Sequence, residues 1–265
     1  MTRSPPRRSW HVPAVASACA LLATGCASPN IYGTPRTIPR GSVAHSIAAE
    51  AQTAFATRPG TEYELHRKVS TDDGSALLPS YMVRFGLGER TDFGVRAVNL
   101  LLPGFDLKIN LFQSRRFDIA VDPTMQGFLP IPDWAHLHLP LLLGFNVAES
   151  LSIVLTPGLL HTPSLFTSVN LFPDRHTPAR MESSGLMARL GMGVNVSLFR
   201  SFALHPEVTL LRSLQPSREL PYTNMTWVML GLGFNFGTLP SFEDVAGGET
   251  DACDDGGTAA PASTP

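Results

Sequence analysis

From Gly185 to Phe199 the chain reads GLMARLGMGVNVSLF, and the two parities of this run differ in kind. Leu186, Ala188, Leu190, Met192, Val194, Val196 and Leu198 fall on one face of an extended strand. Gly185, Met187, Arg189, Gly191, Gly193, Asn195 and Ser197 fall on the other. Successive side chains of a strand point to opposite faces, so alternation this long specifies a half-buried β-strand. The polar face consists of small residues and one charge, without the Lys and Glu of a water-washed surface. Acyl chains on one side and a narrow barrel lumen on the other would demand that composition.

The pattern recurs in pairs. Tyr81–Leu87 and Asp92–Asn99, Asp106–Phe112 and Arg116–Asp122, Leu137–Val147 and Leu151–Gly158, and Gly185–Leu198 and Phe202–Leu211 are each joined by a turn of a few residues. The connectors between these hairpins, at 123–135, 159–184 and 212–222, are mostly longer and Pro-rich. Asn224–Phe236 and Ser42–Thr53 add two further strands, although the alanines of the latter also suit a helix. The expected fold is therefore all-β, an antiparallel up-and-down transmembrane β-barrel of about ten strands. Segments 62–70 and 165–172 leave eight to twelve strands open. An even count puts both ends of the barrel on the side of the short turns.

A soluble, lipocalin-like barrel alternates too, with its apolar face inward. Composition separates the two cases. Charged residues are only 16% of the chain, and lysine occurs twice, at Lys68 and Lys108. Gly86, Gly94, Gly144, Gly191, Gly193, Gly231 and Gly233 sit on polar faces, where several strands share a narrow lumen. Val83, Phe85, Leu87, Phe93, Val95, Leu107, Ile109, Leu111, Leu137, Leu139, Leu141 and Leu143 occupy the opposite faces and suit a hydrocarbon surface. After the leader no apolar run reaches 18 residues, so a transmembrane helix is not expected. The basic and acidic residues nearly balance, which leaves no footprint for nucleic acid.

The ends are distinct. Arg3, Arg7 and Arg8 precede an apolar run from Trp10 to Ala23, the order of a secretory signal. That run ends in Leu21-Leu22-Ala23-Thr24-Gly25-Cys26, which resembles the lipobox of bacterial lipoproteins. The resemblance implies cleavage before Cys26, a covalent diacylglycerol and acyl chain on that Cys, and, with Ala27 following, sorting to the outer membrane. A lipid there calls for the periplasmic side, where the short turns of such barrels also lie, so the N- and C-termini are both expected to be periplasmic. Ala23 stands where Leu is commoner in that family. The expected organisation is a signal peptide at 1–25, a Pro/Ser/Gly-rich tether at 26–40, a barrel at 41–237 and a disordered acidic tail at 238–265. Cys19 leaves with the leader and Cys253 stands alone among acidic residues, so no disulfide is available within one mature chain.

Arg84–Arg96, with its Gly-Leu-Gly-Glu-Arg-Thr-Asp-Phe-Gly core, resembles a hairpin recurrent in uncharacterised bacterial outer-membrane barrels. Thr37-Ile38-Pro39-Arg40-Gly41 is similar to the lead-in to the first strand of the same group. The resemblance implies the fold and an outer-membrane location with outer-membrane lipid as partner. It brings no activity.

For chemistry, the lumenal face offers Arg84, Arg96, Lys108 and Arg189 with Asp118, Asp122 and Glu207. Unpaired charges in a low dielectric are costly, so these should pair into a salt-bridged plug rather than line an ion path. His136 and His138 share a face, with His205 as a third imidazole, yet no further ligand completes a metal set. His45 and Ser46 are neighbours on a strand and point apart, so they make no catalytic pair. Asp133, His136, His138, His161 and Ser164 could meet at a loop rim, the one place for a hydrolase. Phe128, Trp134 and Tyr222 read as interfacial aromatics. The expectation is no catalytic residue, no metal and no cofactor. A structural or surface-interaction role comes first and a narrow channel second.

Overall fold

The computed structural model describes residues 28–57, 78–98, 102–127, 135–169, 179–214 and 224–246. Its strands are β1 (Val43–Thr57), β2 (Leu78–Gly86), β3 (Thr91–Val98), β4 (Leu102–Gln113), β5 (Phe117–Val121), β6 (Thr124–Gln126), β7 (His136–Ala148), β8 (Leu151–Val169), β9 (Ala179–Phe199), β10 (Phe202–Ser213) and β11 (Asn224–Gly237). β5 and β6 lie end to end in one lane, each pairing with both β4 and β7. Eleven segments thus make ten staves, every stave antiparallel to its neighbours. β1 and β11 pair from Ala44↔Gly237 to Thr57↔Asn224, which closes the sheet. The protein is a closed antiparallel ten-stranded β-barrel of the transmembrane, outer-membrane type.

Closure in sequence order follows from the short turns. Gly88 and Leu87 donate to the Thr91 carbonyl across the β2–β3 turn, and Ser114 donates to Phe117 across the β4–β5 turn. A hairpin this tight leaves the next strand no choice but to pair with the one before it. Of Ser42–Thr53, all but Ser42 is strand, within β1. Of segment 165–172, residues 165–169 extend β8 rather than adding a stave, and Leu165↔Ser183 continues its ladder with β9. Segment 62–70 lies outside the described residues.

Burial identifies the inside. In β3 the burial alternates strictly, with Asp92, Gly94, Arg96 and Val98 covered and Phe93 and Val95 outward. In β7 the inward set is His136, His138, Pro140, Leu142, Gly144 and Asn146. Leu111, Leu137, Leu139, Leu190, Leu198 and Leu230 are each at least half exposed, while Asp92, Asp118 and Asp122 are fully buried. A water-soluble barrel would be built the other way round. So extensive an outward apolar belt is a lipid-facing surface. Phe112, Phe117 and Phe145 cluster near the short turns, as does His45 stacked on Phe236, giving that rim an aromatic edge.

Two stretches outside the strands are placed differently from expectation. Residues 28–38, expected as part of a tether, run inside the lumen, where Asn30 is fully buried and Ser28, Ile31, Tyr32, Thr34, Arg36 and Ile38 nearly so. Of the expected disordered tail, residues 238–246 fold across the short-turn mouth and end in a helical turn, Glu243–Ala246. Phe242 is buried there, and Arg36 stacks on its ring at 4.5 Å. Phe242 supplies the apolar anchor that a purely acidic tail would lack. Residues 247–265 lie outside the described set.

Candidate functional site

The lumen holds two interlocked features, a set of buried ion pairs and the segment they enclose. Near the short turns Asp92 faces Lys108 across β3–β4, and the Lys108 Nζ lies 3.2 Å from the carboxylate. Arg84 reaches from β2 to Asp92 at 2.8 Å, to Asp122 at 3.2 Å and to Asp106. Arg96 joins Asp106 at 3.1 Å. Gly94 lies between Arg84 and Asp106 in register, and a Cβ there would meet the Asp106 carboxylate. Its lack of a side chain lets the pair cross it.

The same device explains the Gly185–Phe199 run. Arg189 on β9 lies along the wall over Gly191 to meet Glu207 on β10 at 3.0 Å. The facing Gly193 leaves room for His205, whose Nε2 is 3.9 Å from Glu207. Small residues on the lumenal parity are therefore beds for long charged side chains, and for the segment itself. A Cβ on Gly233 would come within 2.8 Å of Tyr32, one on Gly144 within 2.8 Å of Pro35, and one on Gly231 would overlap the Tyr32 hydroxyl.

Residues 28–38 belong to no sheet, so their backbone groups need other partners. Barrel side chains supply them. The carbonyls of Ser28, Pro29, Asn30, Tyr32, Thr34 and Pro35 accept from Gln126, Arg189, Arg96, Asn235, Lys108 and Asn110 at 2.7–3.2 Å. The Ser28 amide donates to Gln126 at 3.0 Å, completing a two-bond pair like one rung of a ladder. Ile31 and Tyr32 donate successive amides to one oxygen of Glu207 at 3.0 and 2.9 Å. Tyr32 adopts a φ of 53°, which turns the two amides toward one oxygen as in an anion-binding nest. That backbone costs about 1 kcal/mol, and charge-assisted bonds of about 1.5–3 kcal/mol each offset it. The Tyr32 hydroxyl donates to Glu50 at 2.7 Å. Arg36 bonds Asp118 at 2.8 Å, and Asn146 also donates to Asp118, at 2.7 Å. The Asp244 carboxylate joins Arg36 from the covering tail.

All seven lumenal charges singled out from sequence, Arg84, Arg96, Lys108, Asp118, Asp122, Arg189 and Glu207, are buried in the lumen, and each meets an opposite charge. The sequence reading missed Arg36, Asp92 and Asp106, and above all the enclosed segment, and it weighed Glu50 only beside His45 and Ser46, whereas Glu50 accepts from Tyr32. Asp92 and Asp106 share parity with Arg96 and Lys108, so they were findable by extending the same alternation. Cys26 lies outside the described residues.

The other candidates come apart. His136 is inward and bonded to Thr162 at 2.8 Å, whereas His161 faces outward. Asp133, Phe128, Trp134 and Tyr222 lie outside the described residues, and nothing is described of the Ser164 side chain. His45 stacks outside with Tyr81 while Ser46 bonds Asn235 inside. Among the described residues no three His, Cys, Asp or Glu side chains converge as a metal-ligand set. A cavity of about 40 Å³ remains beside Tyr32, Arg84, Lys108 and Phe242, and one of about 20 Å³ beside Glu50 and Arg96. Each has the room of a water or two.

No protein-family model matches the chain, and no curated protein matches it. Among solved structures it is similar to the outer-membrane protease OmpT of Escherichia coli, with 8% identity, a TM-score of 0.40, and 76% of this chain and 98% of that one covered. It is also similar to the attachment invasion locus protein Ail of Yersinia pestis, with 10% identity, a TM-score of 0.30, and 74% and 99% covered. Neisserial surface protein A aligns at 11% identity and a TM-score of 0.31, over 74% and 96%. At these values no activity, ligand or partner passes to this chain, and the barrel assignment rests on strand pairing and burial.

Proposed function

We propose that the chain is a lipid-anchored outer-membrane barrel with a structural or surface-interaction role, its lumen closed by its own N-terminal segment. The observation that carries this reading is the backbone capture of residues 28–38 by lumenal side chains from most of the barrel wall. A transport path needs exchangeable water or solute where this barrel holds polypeptide, so the channel reading is the weaker of the two. The apolar belt favours the bilayer, the resemblance at Cys26 favours lipidation, and barrels with this turn asymmetry keep their short turns on the periplasmic side.

Two measurements test it. The full-length protein, inserted into planar lipid bilayers, should show no steady single-channel current; sustained, reproducible open steps would restore the channel. Cys26→Ala should lose labelling by a palmitate analogue yet stay in washed membranes and still change gel mobility on boiling. A Cys26→Ala protein that is freely soluble would sink the membrane-barrel reading.

A further inference from the structure

The enclosed segment has a direction, and that direction carries a topological consequence. Ile38 donates to Asp92, one residue into β3 from the short turn, and Arg36 reaches Ser114 in the β4–β5 turn. Pro35 and Thr34 meet Asn110 and Lys108, progressively further along β4. Ile31 and Tyr32 meet Glu207, midway along β10. Ser28 meets Gln126, the last residue of β6, where the chain leaves for a long loop. The segment therefore climbs steadily from the short-turn mouth toward the long-loop mouth. Eleven residues can extend over roughly 35 Å, enough to cross a hydrocarbon core of about 30 Å.

We propose that the chain upstream of Ser28 leaves the barrel at the long-loop mouth, on the face opposite to the start of β1 and the end of β11. Resting on the reading of Cys26 as lipidated, this puts the acyl groups in the leaflet on the long-loop side, which is the cell surface when the short turns are periplasmic, and so opposite to the periplasmic side expected for the N-terminus from the sequence. Cys26 is two residues before Ser28 and within about 8 Å of it along the chain, much too little to return through the lumen. The barrel would thus be a surface-anchored lipoprotein threaded through itself.

The experiment compares three positions of one short epitope in the full-length protein in intact cells. The positions are between Ala27 and Ser28, within 170–178, and in the short turn at Glu149–Ser150. The expected result is that the first two are labelled together by antibody without permeabilisation and the third only after it. An N-terminal epitope that follows the short-turn epitope instead overturns the threading while leaving the barrel reading intact. Equal access to all three shows a chain not embedded in a membrane, and overturns both. Because an insertion can disturb the segment, Ser28→Cys with Gln126→Cys provides a second readout. A short bis-methanethiosulfonate reagent, which spans more than a direct disulfide can, should bridge the two thiols in the native membrane, as a shift reversed by reductant; folded protein in which each thiol is labelled singly but the pair is never bridged refutes the path.

Discussion

Deletion of residues 28–38 is expected to turn a silent barrel into a conducting one. Ten staves enclose more cross-section than their own side chains fill, since about eight give an interior just wide enough to be packed. The segment takes up the difference. Once it is gone, Gln126, Asn235, Asn110 and the carbonyl-binding ends of Arg96, Lys108 and Arg189 lose their partners and face open space. Water enters to solvate them, because an unpaired buried charge would cost several kcal/mol. Steady current steps in planar bilayers, absent from the parent, are the readout. Gly231→Leu approaches the same state without a deletion, since its side chain claims the volume of the Tyr32 hydroxyl and of the Asn30 side chain. Folded deletion protein, judged by its gel mobility shift on boiling, that stays silent would show that the wall closes itself.

The second large effect is expected from Arg84→Met. Arg84 is the shared cation of Asp92, Asp106 and Asp122, and all three carboxylates are buried. Lys108 and Arg96 still serve Asp92 and Asp106, while Asp122 loses the only ion pair described for it. Removing one partner of a buried network costs about 3–5 kcal/mol, so the urea midpoint of unfolding in detergent should fall clearly. Arg90→Met, on an exposed turn, should move it by less than about 0.5 kcal/mol. Adding Asp122→Asn to Arg84→Met should recover part of the loss, because the neutral amide no longer demands a cation. Equal midpoints for Arg84→Met and Arg90→Met would mean that the lumen is wet enough to screen the network.

The hairpins were legible because each signal is local. Period-two alternation, a short turn and a second alternating run lie within about 25 residues of one another, and lysine-poor faces with lumenal glycines decide inside from outside. The lumenal charges followed from parity alone. Arg189 shows how far that goes: its face was readable, but its route over Gly191 to Glu207 needed the β9–β10 register, in which Glu207 stands opposite Gly193. The tail shows the opposite bias. Its acidic composition hid Phe242, and one buried ring with the Arg36–Asp244 pair is enough to hold residues 238–246 across the mouth.

The sequence by itself determined the strands, their two faces, the order of hairpins and the charges that line the lumen, because each depends on neighbours along the chain. The occupant of that lumen was decided only by tertiary structure. Ser-Pro-Asn-Ile-Tyr-Gly-Thr-Pro-Arg-Thr-Ile has the turn-forming composition of a linker and no period of its own. Most of its bonds to the wall are made by its backbone, which leaves little pattern in its own residues, and its partners lie far along the chain, Asn235 being 203 positions from Tyr32. Only a closed barrel brings Gln126, Glu207 and Asn235 around one extended strand, and closure is a property of all ten staves together.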